Sequence, residues 1–219
     1  MIAHTLKEGS GTPLVFLHGF LGCAADWEPV CSFLPRCHCI AYDLPGHGST
    51  IFSEEIEIDL PHFHLIGYSM GGRIAMQYAK KNPQKIKSLT LLSTHPGLQT
   101  DEEKEKRLLN DQMWAKNLLQ LPIDDFLIRW YDQSLFKTFT PNFNMRKKQN
   151  VLHLAKALIH YSLAKQSYQK IQEAVVGEYD EKFRALHENP LIIAHAGHVV
   201  HLENPQAVAK LIEQRALNK

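Results

Sequence analysis

Short apolar runs alternate with a segment of helical periodicity along the first hundred residues of the chain. Four runs, each with the character of a buried parallel strand, lie at residues 13–17, 37–42, 63–67 and 88–93. Residues 73–81, between the last two runs, have the apolar spacing of a helix. Strands that alternate with helices predict an α/β fold, in which a mostly parallel twisted sheet is flanked by helices.

The pattern changes after residue 100. Up to about residue 172, apolar side chains recur at spacings of three and four, which is typical of amphipathic helices. Runs of strand character return at residues 174–177 and 191–194. We therefore expect one α/β core in two parts, residues 1–97 and 173–219, with a helical lid inserted at residues 98–172.

The pentapeptide Gly-Tyr-Ser-Met-Gly at residues 67–71 stands between the third apolar run and the helical segment. The Gly-x-Ser-x-Gly pattern alone is common, but a strand before it and a helix after it predict a nucleophile elbow. Such a turn exposes the hydroxyl of Ser69 at a helix N-terminus, where the Met70 N–H can face a developing oxyanion. The loop after the first run, His-Gly-Phe at residues 18–20, offers the Phe20 N–H as a second donor.

A serine hydroxyl needs a histidine to accept its proton and a carboxylate to orient that histidine. Asp180 and His198 follow the two late strand-like runs, and the order serine, acid, histidine is that of an α/β-hydrolase. His195 and His201 are alternative bases, and Glu178 is an alternative acid. We favour His198 because it follows Ala-Gly, at the predicted apex of a loop, and we favour Asp180 as its partner.

The net charge and the absence of long apolar stretches from the sequence narrow the class of partner and the location of the protein. The 219 residues include 24 Lys and Arg and 23 Asp and Glu, a net charge of +1 that favours neither nucleic acid nor an anionic membrane. We expect a small-molecule partner. No apolar stretch reaches the ~20 residues of a bilayer span and residues 1–8 lack a signal-peptide core, which favours a cytoplasmic protein. A monomer is favoured.

The four cysteines lie in the first fifth of the chain, and the motif Cys-His-Cys at residues 37–39 raises the question of a metal. Alternate residues of a strand are poorly spaced for a closed tetrahedral site. We expect buried or half-buried reduced thiols, with neither a metal nor a cofactor.

Several motifs together resemble one branch of the α/β-hydrolase superfamily. They are Leu-His-Gly-Phe-Leu-Gly at residues 17–22, Asp-Leu-Pro-Gly-His-Gly at 43–48, Gly-Tyr-Ser-Met-Gly-Gly-Arg at 67–73, Gly-Glu-Tyr-Asp-Glu-Lys-Phe-Arg at 177–184 and Ala-Gly-His at 196–198. With these motifs the chain resembles the 2-succinyl-6-hydroxy-2,4-cyclohexadiene-1-carboxylate (SHCHC) synthases of menaquinone biosynthesis, and the resemblance covers most of its length.

The resemblance implies a lyase that eliminates pyruvate from 2-succinyl-5-enolpyruvyl-6-hydroxy-3-cyclohexene-1-carboxylate, with the triad serine acting as a base. It also places Arg73, Arg107 and Arg146 as substrate-binding residues, with Trp130 and Tyr131 as walls of the pocket. Arginine forks suit a polycarboxylate because each can bind a carboxylate through two hydrogen bonds.

Three stretches, near residues 50–62, 172–177 and 185–190, are shorter than the family pattern. Either this chain is trimmed there or its sequence omits segments, and residues 50–62 are too few for the usual helix. Two other functions stay open at this point. One is a small-molecule carboxylester hydrolase with Ser69 as a covalent nucleophile, and the other is a noncatalytic binding protein of the same fold.

Overall fold

The computed structural model describes residues 1–217. Within them, seven strands form a single sheet in the order β1-β3-β2-β4-β5-β6-β7. The strands are β1 (Ile2–Lys7), β2 (Ser10–Leu17), β3 (Cys37–Asp43), β4 (Phe63–Tyr68), β5 (Ile86–Leu92), β6 (Ala174–Gly177) and β7 (Leu191–Ile193). Only β1 runs antiparallel to its neighbour, so the sheet is mostly parallel, as the sequence predicts.

Helices cover both faces of this sheet, and four of them are inserted in the chain between β5 and β6, which are themselves paired. The helices are α1 (Glu28–Ser32), α2 (Met70–Lys81), α3 (Asp101–Gln120), α4 (Ile123–Tyr131), α5 (Phe143–Arg146), α6 (Val151–His160), α7 (Glu181–Arg184), α8 (Val200–Glu203) and α9 (Pro205–Leu217). We call α3 to α6 the helical insertion. No helix within residues 1–217 is long and apolar enough to cross a bilayer.

The six strands expected from apolar runs are all present, each within a few residues of its predicted bounds. The prediction missed β1, which pairs with β3 at one edge of the sheet. An edge strand is covered on fewer sides than a central one, and much of β1 is exposed, so its sequence lacks a continuous apolar run. By contrast, β4 is buried at every position and was predicted from its apolar residues.

The connection between β3 and β4 has no helix, which confirms the expectation for this short stretch. An irregular segment crosses the sheet instead and packs three apolar side chains, Ile56, Ile58 and Leu60, against the core. Ile58 is fully buried. Three side chains thus cover part of the face that a crossover helix usually covers. The late strands β6 and β7 are also short, with four and three residues.

The first helix of the insertion begins at a well-defined cap. The Thr100 hydroxyl accepts the Glu103 N–H at 3.2 Å, and the Glu103 carboxylate accepts the Thr100 N–H at 3.0 Å. This reciprocal capping box satisfies backbone donors that the first helical turn leaves free. It fixes the residue at which the chain leaves the core and enters α3.

A buried ion pair joins the insertion to the core. Arg146, at the end of α5, donates from Nη1 to Asp26 Oδ2 at 2.9 Å, and both side chains are less than a tenth exposed. The same Asp26 oxygen accepts the Cys23 N–H at 3.2 Å. Burial lowers the pKa of Arg146, but its neighbours, Asp26 first among them, together raise it above its usual value. The pair therefore holds α5 against the loop that follows β2.

We expect loss of one partner of this pair to cost more than loss of both. Arg146→Met leaves a buried carboxylate unpaired and should lower the free energy of unfolding by about 3 kcal/mol. In Asp26→Asn/Arg146→Met the charge is gone while the amide oxygen can still accept the Cys23 N–H, so most of that loss should be recovered. Urea unfolding of the wild type, both single variants and the double variant measures the coupling. Strictly additive losses would contradict a stabilising link between Asp26 and Arg146.

Candidate active site

The structure brings Ser69, His198 and Asp180 together at the carboxyl ends of the strands. His198 Nε2 lies 3.1 Å from Ser69 Oγ, and His198 Nδ1 lies 2.7 Å from Asp180 Oδ2. Because a carboxylate only accepts hydrogen bonds, Nδ1 carries the proton and Nε2 is free to accept the serine hydroxyl proton. Asp180 and His198 are both almost completely buried. This is the geometry of a serine, histidine and acid triad.

The backbone at Ser69 is held in a left-handed conformation, with φ 52° and ψ −111°. The Ser69 N–H donates to Leu92 O at 2.9 Å, which ties the turn to β5. A Cβ on Gly67 would lie 2.6 Å from Gly71 O, so the strand and the helix approach too closely for any other residue there. The tight turn is what turns the serine side chain out of the sheet.

Two main-chain amides at this site have no acceptor among residues 1–217: the Phe20 N–H and the Met70 N–H. Met70 is the first residue of α2, where an N–H has no partner within the helix. Both residues line the same cavity as Ser69. They remain the predicted oxyanion donors, and their free amides are what such a role requires.

The acid is placed by the strand and helix around it. Asp180 follows β6 and caps α7, with its Oδ1 accepting the Phe183 N–H at 3.3 Å while Oδ2 faces His198. A bond from the Tyr179 N–H to Ala196 O at 2.9 Å ties this loop to the loop that carries His198. Asp180 is therefore positioned from both sides although β6 has only four residues.

The alternative triad residues lie elsewhere. Glu178 accepts the His195 N–H at 2.8 Å and does not reach His198, while the His195 side chain is 83% exposed. His201 is buried against Trp27 and Tyr68, with ring centroids 4.5 and 4.3 Å apart, and its ring nitrogens have no partner among the described residues. Burial lowers the pKa of His201 to about 3, which keeps it neutral.

The triad opens into a cavity of about 180 Å³ between the sheet and the helical insertion. Core residues Phe20, Ser69 and His198 form one side, and the insertion supplies Trp114 and Trp130. The Phe20 and Trp130 rings are 4.9 Å apart, so the insertion packs directly on the loop that carries one oxyanion donor. The insertion thus completes the wall of the site.

Arg73 lies on α2 one turn after Ser69 and also lines this cavity. Its Nη1 donates to Tyr161 O at 2.7 Å and to Gln166 Oε1 at 3.3 Å, and no described carboxylate lies within 4.0 Å of it. Burial, and next the positive charge of Arg107, lower the pKa of Arg73 to about 9. A buried cation without a carboxylate partner gains from binding an anion.

Arg107 brings a second guanidinium to the cavity from α3. Its Nε lies 2.9 Å from both carboxylate oxygens of Asp111, four residues later on the helix. Asp111 is buried while about a third of the Arg107 side chain is exposed. The pair fixes the Arg107 side chain through Nε and leaves its two terminal nitrogens for another acceptor.

Not every predicted binding residue reaches this cavity. Trp130 lines it, but Arg146 and Tyr131 line a neighbouring void of about 20 Å³ on the far side of Phe20. The ion pair with Asp26 draws Arg146 away from the Ser69 cavity. Tyr131 packs on Phe136, 5.1 Å between centroids, in the same aromatic wall. The structure therefore places two of the three predicted arginines beside the triad.

The cavity residues that were not singled out from the sequence include one histidine and one lysine. His95 follows β5, and Lys182 lies on α7 two residues after Asp180. Lys182 belongs to the Gly-Glu-Tyr-Asp-Glu-Lys-Phe-Arg motif, so that motif was the available signal for it. His95 carried no such signal, because a single histidine after a strand is a common structural residue.

This arrangement can move a proton and hold negative charge. Ser69 can give its proton to His198 and so take a proton from, or attack, a bound molecule. The free amides of Phe20 and Met70 can receive an oxyanion. Arg73 and Arg107 fit carboxylates beside the reacting atoms.

Comparison with known proteins agrees with this geometry. A family model described as alpha/beta hydrolase fold matches residues 57–205. A 2-succinyl-6-hydroxy-2,4-cyclohexadiene-1-carboxylate synthase of Salmonella arizonae is 33% identical over 246 aligned positions, which cover 97% of each chain. The synthase of Salmonella typhimurium is 34% identical over 238 positions, 93% of this chain and 94% of that one. Since 246 positions exceed the 219 residues of the chain, the Salmonella arizonae protein contains residues that this chain lacks.

Solved structures show the same likeness. MenH from S. aureus superposes with a TM-score of 0.80 at 27% identity, covering 96% of this chain and 95% of that one. An esterase from Thermogutta terrifontis has a TM-score of 0.73 at 19% identity, covering 97% and 91%, and this likeness shows the fold alone. With a matching family model, a shared fold and sequence identity that extends over nearly the whole chain, this protein belongs to the α/β-hydrolase family and, within it, to the SHCHC synthases.

Proposed function

We propose that the protein is a lyase that eliminates pyruvate from 2-succinyl-5-enolpyruvyl-6-hydroxy-3-cyclohexene-1-carboxylate to give SHCHC, a step of menaquinone biosynthesis. The observation that carries the proposal is the pairing of the Ser69 triad with Arg73 and Arg107 in one cavity. An ester hydrolase needs the triad but not two guanidinium groups beside it. A substrate with three carboxylates needs both.

The reaction begins at the ring carbon that bears the succinyl group, because its proton is acidified by the adjacent carbonyl. Ser69 Oγ takes this proton as its own hydroxyl proton passes to His198 Nε2, and Asp180 stabilises the imidazolium that forms. Negative charge develops on the carbonyl oxygen, and the anion that results is a dienolate. The Phe20 and Met70 N–H groups donate to that oxygen.

Elimination follows from the dienolate. Its electron pair forms the two conjugated ring double bonds of the product, and the carbon–oxygen bond to the enolpyruvyl group breaks. The leaving enolate takes a proton from His198 and becomes pyruvate, so protons and electrons balance. No cofactor takes part in this proposal, because the triad and the two amides handle every charge. From the sequence alone, we further propose that the enzyme acts in the cytoplasm and as a monomer, with residues 98–172 as its lid.

In this proposal, the arginines of the cavity bind the substrate. Arg73 is buried without a carboxylate partner, and Arg107 is held by Asp111 with its terminal nitrogens free. Both therefore bind substrate carboxylates, while Trp130 covers the ring. Arg146 contributes by holding the loop of Phe20 through Asp26, since it does not reach the cavity. Tyr131 lines the neighbouring void and packs on Phe136, which lines the Ser69 cavity.

We expect Ser69→Ala to abolish pyruvate release while the protein stays folded. Without Oγ no atom lies between His198 and the substrate carbon, and loss of a triad residue costs several orders of magnitude in rate. Release is measured by coupling to lactate dehydrogenase, with a thermal melt as a control for folding. Undiminished release by Ser69→Ala would exclude Ser69 as the base. Ester turnover by the wild type without pyruvate release would contradict the lyase proposal as a whole.

Substitution of Arg73 should weaken substrate capture more than chemistry. Arg73→Met removes a charge-assisted contact worth about 1.5–3 kcal/mol, so KM should rise roughly tenfold or more while kcat falls less. The dependence of kcat/KM on salt should become shallower. Lys80→Met is the matched control, because it removes one positive charge from an exposed position of the same helix. Equal KM values for Arg73→Met and Lys80→Met would contradict the assigned role.

A further inference from the structure

His95 and Lys182 enter the Ser69 cavity from two different elements. His95 follows β5, and Lys182 projects from α7 just after the triad acid. Neither residue takes part in the triad or in the arginine contacts described above. Both nevertheless line the same wall as Phe183, whose ring stands perpendicular to that of His95 with centroids 6.1 Å apart.

The hydrogen bond of His95 fixes which ring nitrogen carries its proton. The Gly97 N–H donates to His95 Nδ1 at 3.1 Å, so in the neutral ring the proton sits on Nε2. Burial, then the charges of Arg73, Arg107 and Lys182, lower the pKa of His95 to about 4. The ring is therefore neutral near pH 7. Its Nε2–H donates to no group among residues 1–217 and is available to a ligand.

Lys182 is the cation of α7 that faces the cavity. Its neighbours Glu181 and Arg184 line a different surface depression, on the outer side of the helix. Among the described residues, no carboxylate pairs with the Lys182 ammonium. Asp180, two residues before Lys182, is already hydrogen-bonded to His198. The charge of Lys182 is thus free to meet an anion in the cavity.

We propose that the His95 Nε2–H and the Lys182 ammonium form an additional carboxylate-binding subsite in the Ser69 cavity, beside Arg73 and Arg107. The inference rests on the proposed function for the identity of the ligand. That substrate carries three carboxylates, and the structure withholds Arg146 because it pairs with Asp26. Arg73 and Arg107 can serve two of the carboxylates. The pair of His95 and Lys182 serves the third.

A neutral histidine has a clear advantage at such a point. A fourth full charge, on His95 close to Arg73, Arg107 and Lys182, would add repulsion among the cations of the cavity. A neutral Nε2–H adds a hydrogen bond to the bound carboxylate without that cost. Lys182 then supplies the positive charge from an exposed side chain at the rim of the Ser69 cavity.

The test uses paired variants of the full chain. Lys182→Met removes the charge and Lys182→Arg retains it. His95→Asn keeps an acceptor near the Nδ1 position for the Gly97 N–H but loses the Nε2–H, whereas His95→Gln places an amide N–H near the Nε2 position. Lys210→Met removes one exposed charge from α9, away from the cavity, and is the control for net charge. Circular dichroism and melting temperature establish that each variant folds.

Two readouts are needed, KM for pyruvate release and the Kd of propane-1,2,3-tricarboxylate from calorimetry. We expect Lys182→Met and His95→Asn to raise both about five- to tenfold, with kcat changed much less. Lys182→Arg and His95→Gln should recover most of the affinity, and Lys210→Met should change nothing. Unchanged KM and Kd in Lys182→Met and His95→Asn would overturn the subsite while wild-type pyruvate release still supports the lyase. If the wild type released no pyruvate, the proposed function would fail, and the tricarboxylate Kd values alone would decide whether the anion subsite exists.

Discussion

The backbone turn at Ser69 is the constraint on which the rest of the site depends. A left-handed residue between β4 and α2 is tolerated because the turn is tied to β5 and because Gly67 lets strand and helix approach closely. Gly71 likewise admits the backbone at the end of β2. That single turn presents the serine hydroxyl and frees the Met70 N–H. It also starts the helix that carries Arg73 into the same cavity one turn later. The proposed base, one proposed oxyanion donor and a cation therefore share one short segment.

Charge balance around the triad explains why this fold can run an elimination. In the cavity, the positive groups outnumber the negative ones once Asp180 is bound to His198 and Asp111 to Arg107. Burial, and next the charge of Arg107, lower the pKa of Arg73, so the guanidinium is costly to keep charged there. A polyanionic substrate would relieve that cost. Binding free energy from remote carboxylates can then position the reacting carbon against Ser69. In the proposed mechanism, the free amides of Phe20 and Met70 stabilise the dienolate that forms next.

Local sequence patterns predicted most of the sheet and the segments that carry the triad. β4, the elbow and the helix after it were predictable because apolar runs and glycine requirements are local properties. Contacts between distant segments were not. Arg146 and Asp26 are 120 positions apart, so nothing in the sequence around either residue indicated that they pair. His95 was missed because its place in the cavity beside Phe183 and Lys182 depends on a contact between distant parts of the chain.

The most direct test of the account is a single-turnover measurement of pyruvate release with substrate that carries deuterium on the ring carbon bearing the succinyl group. If Ser69 removes that proton in the step that leads to elimination, the deuterated substrate reacts more slowly in the wild type, and the product ring no longer holds the label at that carbon. Equal rates for the two substrates, or release of pyruvate with the deuterium still in place, would contradict proton abstraction by the Ser69 triad.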